Sequence, residues 1–80
     1  MYYYVYILQG ERNTERFYTG YTTNLKKRLI KHNNGEVPHT SKFKPWKFKT
    51  AIAFTDKDKA LTFEKYLKSH SDSAFAKKHF

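Results

Sequence analysis

The chain has 80 residues, with 16 lysines and arginines against seven aspartates and glutamates, and no cysteine; its formal net charge is +9. This length allows one small domain, and the absence of cysteine excludes a disulfide framework and any thiolate zinc site while it favours a reducing, cytoplasmic location. Seven tyrosines, seven phenylalanines and one tryptophan predict an aromatic-rich core, although only 39% of the residues are apolar.

The first half of the chain predicts two strands followed by a helix. Residues 2–8 are aromatic or aliphatic on both faces, which predicts a central strand. Residues 16–22 predict a second strand, paired antiparallel with the first across a short loop. Gly20 within that strand indicates a bulge or the close approach of another group. Residues 25–33 have helical spacing, with capping candidates before them and an Asn-Gly pair after them.

The second half predicts a third strand and one long helix. Residues 36–46 form a basic loop that ends in Pro-Trp, and residues 47–54 alternate as a strand does. The alternation predicts that Phe48, Thr50, Ile52 and Phe54 share one side of this strand. Residues 57–69 predict a helix that begins after Thr55 or Asp56 as its cap.

The order of these elements predicts an α+β fold. The long helix carries a stripe of Ala60, Phe63, Glu64 and Leu67 at the spacing of a buried face. A last short helix is predicted from Ser71 to the C-terminus. The architecture is therefore β-β-α-β-α-α, a small three-stranded antiparallel sheet flanked by helices, in a single domain over residues 1–80. No membrane segment is expected, because the apolar run at the start is much shorter than the ~20 residues that a spanning helix needs.

The positive charge is concentrated in the middle of the chain. Residues 24–49 hold eight basic residues and one acidic residue, which gives this segment a net charge of +7. That basic segment favours DNA as a partner, although a solvated lysine-rich surface would give the same count. Five lysines are the candidates for contacting nucleic acid: Lys27, Lys31, Lys42, Lys44 and Lys47. Phe43 and Trp46 lie among them and could stack on bases, while Trp46 could equally close the edge of the core.

The first helix places Arg28 and His32 side by side, because they are four residues apart. A guanidinium presents a fork of donors that suits a phosphate group, and an imidazole beside it can share or transfer a proton. The alternatives are a solvated basic run for Arg28 and a helix-end histidine, favoured by the helix dipole, for His32.

Two tyrosines and one glutamate complete the candidate site. Tyr6 and Tyr18 lie on the two paired strands and can share a face, where a phenol near cations can accept a proton. Packing across the strands is the alternative role for both tyrosines. Glu64 lies on an apolar stripe, where a carboxylate needs a metal or another cation beside it. An ordinary helix pair with Lys68, four residues on, would also satisfy it.

The order of these residues resembles the GIY-YIG nuclease family. The resemblance rests on Tyr4-Val5-Tyr6, Tyr18-Thr19-Gly20, Arg28, His32 and Glu64 in this order, and it runs from Tyr2 to Phe80. The chain looks most like the short stand-alone bacterial members. It is also similar to the N-terminal nuclease domain of the excision-repair nuclease and to that of phage homing endonucleases.

The resemblance implies a metal-dependent DNA endonuclease that hydrolyses phosphodiester bonds, on branched or damaged DNA in repair or recombination. Tyr6 and Tyr18 would be the paired tyrosines, one of them the general base that activates water. Arg28 would stabilise charge on the non-bridging oxygens, and His32 would support a tyrosine or relay a proton. Glu64 would hold a divalent cation, magnesium in the first instance.

Gly20 would let the backbone approach the site closely, and the chain departs from the family pattern at other positions. Tyr4 replaces the glycine of the first motif, and Tyr21 stands where some members have lysine. No asparagine follows Glu64, and residues 70–73 read His-Ser-Asp-Ser where the short members have Gly-Ser-Gly-Arg.

Two other functions remain compatible with the sequence. A catalytically inactive module of the same fold would use the basic segment to bind nucleic acid as an adaptor. A structural partner of a larger protein would leave specificity to that protein, since 80 residues leave little room for a separate specificity domain.

Overall fold

The computed structural model describes residues 1–69, which form three strands and two α-helices. The strands are β1 (Tyr3–Gly10), β2 (Phe17–Thr22) and β3 (Trp46–Phe54). The helices are α1 (Leu25–Asn33) and α2 (Lys57–Lys68), and a short 3-10 turn spans Ser41–Phe43. The predicted α+β fold and its order are confirmed as far as α2. The last predicted helix, from Ser71 onwards, lies outside the described residues.

The sheet has the order β2-β1-β3, and both pairings are antiparallel. β1 is the central strand because both of its faces are apolar and each needs a covering layer. Val5 and Ile7 face α2 and form one buried cluster with Ala60 and Leu67. On the opposite face, Tyr6 and Leu8 form a second cluster with Trp46, against which leucines of α1 pack. The core is therefore divided by the sheet, and the candidate tyrosines belong to the α1 face.

β3 changes faces part-way along its length. Ile7 pairs with Thr50 and Leu8 pairs with Phe48, so that Lys49 is an extra residue in β3. Such a bulge inverts the alternation of side chains beyond it. Phe48 accordingly packs with Tyr6 and Leu8, while Phe54 packs on the α2 face. The predicted common side for Phe48, Thr50, Ile52 and Phe54 is wrong for Phe48, because regular alternation cannot anticipate a bulge.

The helix ends follow their capping chemistry. The Asn24 side chain accepts a hydrogen bond from the backbone N–H of Lys27 at 3.0 Å and begins α1. Gly35, with φ of 75°, stops it in the left-handed conformation. Asp56, one of the two predicted caps, begins α2 by accepting from the N–H of Asp58. Both helices are therefore fixed in register, which determines where Arg28 and Glu64 point.

Candidate active site

Tyr6 lies at the centre of the candidate site. It projects from the middle of β1 towards α1, and only 1% of its surface is exposed. Its hydroxyl lies 2.9 Å from Nε2 of His32, the buried side chain of α1. The Tyr6 ring meets the edge of the His32 ring on one side and that of Phe48 on another. Tyr6 is therefore held both at its ring and at its hydroxyl.

Gly20 leaves the space that the Tyr6 ring occupies. Gly20 lies directly opposite Tyr6 in the β1–β2 pairing. A Cβ atom at position 20 would overlap the hydroxyl of Tyr6 and the ring carbon that bears it, and would lie 2.9 Å from Cε2. The predicted close approach at Gly20 is confirmed, and the approaching group is the phenol of the first motif.

His32 is completely buried and links Tyr6 to a residue of the following loop. Its Nδ1 lies 2.7 Å from Oγ1 of Thr40, and that hydroxyl donates to the carbonyl of Val37 at 3.3 Å. The arrangement that uses both contacts of Oγ1 sends the Thr40 proton to Val37, so that Oγ1 accepts from Nδ1–H of His32 and Nε2 accepts from the Tyr6 hydroxyl. Burial, and secondarily the charge of Arg28, lower the pKa of His32 to about 4. The imidazole is therefore neutral at physiological pH.

Arg28 is the cation of this cluster. Burial raises the pKa of Tyr6 well above its usual value, and the charge and hydrogen bonding of Arg28 act against that rise. The same positive charge also disfavours protonation of His32. Arg28 itself is half-buried, so its guanidinium reaches both the buried phenol and the surface. The sequence pairing of Arg28 with His32 is thus realised around Tyr6.

Tyr18 lies at the outer side of the same cluster. Its ring centroid is 5.2 Å from that of His32, and its side chain keeps part of its surface exposed. It packs on the α1 face with Tyr6, so the two tyrosines share a face as predicted. The ammonium of Lys68, at the end of α2, lies 5.3 Å from the Tyr18 ring centroid. The site is therefore bordered by both helices.

Glu64 approaches this border from α2. Its carboxylate lies 3.4 Å from the ammonium of Lys68, and the Glu64 side chain is 20% exposed. Its negative charge also contributes to the raised pKa of Tyr6, as a lesser cause than burial. The alternative of an ordinary helix pair with Lys68 is therefore realised, next to the tyrosine cluster, and a metal ion at Glu64 stays a prediction.

A metal ion at Glu64 would need ligands from water and from the substrate phosphate in addition to this carboxylate. Within residues 1–69, no group of three or more histidine, cysteine, aspartate or glutamate side chains could enclose an ion. Magnesium is commonly held by one or two carboxylates, several waters and substrate phosphates. A partly exposed carboxylate that already faces a cation fits that arrangement and does not fit a cage of protein ligands. Glu64 is the residue that would hold the ion.

Comparison with known proteins identifies the family. The family model described as the GIY-YIG catalytic domain matches residues 2–78. The chain belongs to the GIY-YIG family. This is a family of nuclease domains, and its nucleases generally use divalent metal ions. In this GIY-YIG chain, the motif tyrosines Tyr6 and Tyr18 both contact the His32 ring. Tyr6 also fills the space that Gly20 leaves open.

Bacterial relatives share the same domain. The chain is 39% identical over 67 residues to UPF0213 protein YsiG of Lactococcus lactis, in a match that covers 82% of this chain but 62% of that protein. It is 36% identical over 72 residues to UPF0213 protein SAG0778 of Streptococcus agalactiae, with coverages of 89% and 80%. The chain thus spans less than two thirds of the Lactococcus protein. The predicted resemblance to the short bacterial members is confirmed.

A solved structure shares the fold. The solution NMR structure of UPF0213 protein BH0048 from Bacillus halodurans matches with a TM-score of 0.54 and 35% identity. The match covers 89% of this chain and 74% of that one. The three-stranded sheet with two helices is therefore the GIY-YIG fold in this chain.

The loop between α1 and β3 is fastened to the core by Trp46. The Asn33 side chain binds both backbone groups of Trp46, accepting from its N–H at 2.6 Å and donating to its carbonyl at 3.1 Å. The indole N–H of Trp46 donates to the carbonyl of Thr40 at 2.8 Å. Trp46 is 3% exposed, so the predicted alternative of a core-edge residue is right and base stacking by Trp46 is excluded.

Phe43 is also engaged within the protein. It packs against the Tyr6 cluster, and the guanidinium of Arg16 lies 4.2 Å from its ring centroid. A base could stack on this face of Phe43 only if Arg16 moved away. The aromatic residues of the basic loop therefore serve the fold.

The five candidate lysines, Lys27, Lys31, Lys42, Lys44 and Lys47, are all exposed. Lys27 and Lys31 lie on α1, and Lys42 and Lys44 lie on the loop. Lys47 alternates with Trp46 and Phe48 and so lies on the opposite face of the sheet. Their role in binding DNA stays a prediction. None of the helices in the described part of the chain is long and apolar enough to cross a membrane.

Two residues of the site do not follow from the sequence. Thr40 lies in a loop whose composition predicts a basic, exposed segment, and no local pattern marks a threonine that points inward. Lys68 is predicted only as a helix partner for Glu64, yet it also lies over Tyr18. The four-residue spacing of Glu64 and Lys68 is the sequence signal for their ion pair. The contact of Lys68 with Tyr18 depends on how α2 packs beside β2, which the spacing does not show.

Proposed function

We propose that this protein is a metal-dependent endonuclease that hydrolyses phosphodiester bonds in DNA. The observation that carries the proposal is the convergence of Arg28, Tyr18 and Glu64 around the buried Tyr6–His32 pair. This arrangement combines a cation for phosphate, a partly exposed phenol and a carboxylate for a metal ion. The exposed lysines on the α1 side supply attraction for the DNA backbone.

Each side chain has a distinct role in the proposed reaction. Arg28 directs guanidinium donors at the non-bridging oxygens, where charge grows as the phosphorus is attacked. Tyr18, partly exposed, faces the attacking water; once its own proton has passed to solvent, its phenolate takes a proton from that water as the water attacks the phosphorus. The Tyr6 hydroxyl donates to His32, so its oxygen can accept from Arg28. The buried Tyr6–His32 pair thereby holds the guanidinium in place. A divalent cation held by Glu64 would neutralise charge on the phosphate and on the leaving oxygen.

Branched or damaged DNA in repair or recombination, within the cytoplasm, is the setting that we propose for this activity. The described domain is small, and most of its candidate site is used to hold the Tyr6–His32 pair. Family relatives include longer chains, which have room for further segments. A larger partner or a further segment would then supply specificity for the DNA structure. A binding module without catalysis is the outcome to be separated by experiment.

Plasmid nicking tests the proposal and its dependence on metal. The wild-type protein should convert supercoiled plasmid to the nicked form with magnesium and not with EDTA. Glu64→Gln removes the carboxylate charge with little change of shape and should reduce nicking by about 100-fold or more, a typical loss for one group that stabilises transition-state charge. Glu36→Gln, an exposed acid after α1, is the matched control and should nick normally. Nicking that persists in EDTA, or in Glu64→Gln, would contradict the proposal.

A further inference from the structure

Thr40 stands out because it is completely buried in a loop that is otherwise basic and largely exposed. Both its side-chain hydroxyl and its backbone carbonyl are hydrogen-bonded. Its hydroxyl lies between Nδ1 of His32 and the carbonyl of Val37, and its own carbonyl accepts from the indole of Trp46. A solvent-exposed loop residue needs none of these contacts. The contacts indicate that Thr40 has a fixed orientation with respect to the His32 ring.

The orientation of Thr40 decides which nitrogen of His32 carries the proton. The Val37 carbonyl can only accept, so the arrangement that uses both contacts of Oγ1 sends the Thr40 proton to Val37 and has Oγ1 accept from the imidazole. A neutral imidazole that donates through Nδ1 has a free lone pair at Nε2. The hydroxyl of Tyr6, 2.9 Å away, must then donate inward to His32. The oxygen of Tyr6 therefore keeps its lone pairs for a donor on the other side, where Arg28 lies.

We propose that Thr40 is a positioning residue that holds His32 in the Nδ1–H tautomer and thereby fixes the direction of the Tyr6–His32 hydrogen bond. This inference rests on the proposed nuclease function only for its effect on rate. With the opposite tautomer, Nε2–H would point at Tyr6 and compete with Arg28 for the phenol oxygen. Thr40 acts through His32, since its buried hydroxyl is already held between His32 and Val37.

The supports of Thr40 extend outward in a chain of fixed contacts. Trp46 holds the carbonyl of Thr40, and Asn33 holds the backbone of Trp46 from the end of α1. The loop thus leaves α1 one residue after His32 and returns to the same helix. This closure explains why the hydroxyl of a loop residue can be placed as accurately as that of a helical one.

Ring ¹⁵N spectra of His32 test the inference directly. The wild-type protein should show the Nδ1–H tautomer at neutral pH. Thr40→Val keeps the shape and removes the acceptor, so the tautomer should shift towards Nε2–H. Thr40→Ser keeps the hydroxyl and should restore the wild-type spectrum, and Thr50→Val, a half-buried threonine of β3, serves as the matched control. Thr40→Val with an unchanged Nδ1–H tautomer, or a wild-type Nε2–H tautomer, overturns the inference.

Kinetics on cleavable DNA supply the second readout. Thr40→Val should lower kcat about tenfold with KM unchanged, the size expected for one hydrogen bond that orients a reacting group. Thr40→Ser should recover the wild-type kcat. A tautomer shift without a change in kcat overturns the positioning role. If the wild-type protein cuts no DNA, the proposed function fails while the spectra still decide the tautomer.

Discussion

Tyr6 organises the site because three partners meet at its phenol. Gly20 leaves room for the ring, His32 accepts from the hydroxyl, and Arg28 brings a positive charge to the oxygen. A buried phenol with no such partners would be costly, since an unpaired polar group loses its hydration. The tyrosine, the glycine and the histidine are therefore best understood as one structural unit.

The neutral state of His32 makes stability depend on pH. Its pKa is lowered to about 4 by burial and by Arg28, whereas an unfolded chain has a value of about 6.5. Between these values the unfolded chain binds a proton that the folded chain does not, so the free energy of unfolding falls as pH falls. The stability contribution of neutral His32 is present above pH 6.5 and is lost towards pH 4, on the order of 3 kcal/mol in total.

Urea unfolding between pH 7 and pH 4 measures this contribution. The wild-type protein should lose more stability across this range than His32→Gln, which has no imidazole to protonate. His39→Gln, which removes an exposed histidine of the loop, should follow the wild-type curve. Equal pH dependence in the wild type and in His32→Gln would show that His32 is not the responsible group.

At the scale of elements, the loop from α1 to β3 is tied to the core by side-chain hydrogen bonds at both of its ends. The Asn33 amide takes the place of a sheet neighbour for the backbone of Trp46, which begins β3. In this way the end of α1 determines the start of β3. The position of Thr40, between them, depends on both.

The two adjacent asparagines at the end of α1 allow a matched comparison. Asn33→Ala leaves a buried N–H and a carbonyl of Trp46 without their partner and should lower the free energy of unfolding by about 1–3 kcal/mol. Asn34→Ala removes an exposed side chain whose contact with Glu36 is 3.4 Å long and should cost much less. Denaturant melts of both variants provide the measurement. Equal losses would mean that the amide does not fasten the loop.

The predictable part of the fold is the part that follows from local chemistry. Apolar residues on both faces predict the central strand, and capping residues predict both helices within one or two positions. The bulge at Lys49 is not predictable, because Phe48, Thr50, Ile52 and Phe54 recur at every second position across it and the sequence resembles that of one regular strand. Its effect is to move Phe48 to the face of Tyr6, where it completes the cluster.

The candidate site also has a part that the sequence predicts and a part that depends on the fold. Tyr6, Tyr18, Arg28, His32 and Glu64 follow from motif order, and the structure brings them to one region of the α1 face and its border with α2. Thr40 depends on how a twelve-residue connection, residues 34–45, folds back on α1, which spacing alone does not determine. Trp46 is ambiguous in the sequence because a large apolar residue between lysines suits a core edge as well as a base.

At the scale of the whole molecule, the charge and the site lie on related surfaces. The basic segment runs from α1 through the loop to β3, and α1 also carries Arg28 and His32. A DNA strand attracted to this side would meet the half-buried Arg28 at its inner edge. Binding should weaken with added salt, because lysine–phosphate contacts release counterions. In the proposed function, the basic charge would attract the DNA, and the buried Tyr6–His32 pair would hold Arg28 in place for the phosphate.

The most direct test of this account is single-turnover cleavage of a labelled branched DNA, with binding measured on the same samples. Arg28→Lys keeps the charge and loses the guanidinium fork, so it should bind DNA like the wild type while it cleaves about 100-fold more slowly. Lys57→Met, at the start of α2, is the matched surface control and should change neither quantity. Wild-type protein that binds the DNA without cutting it in magnesium, or Arg28→Lys that cuts at the wild-type rate, would contradict the account.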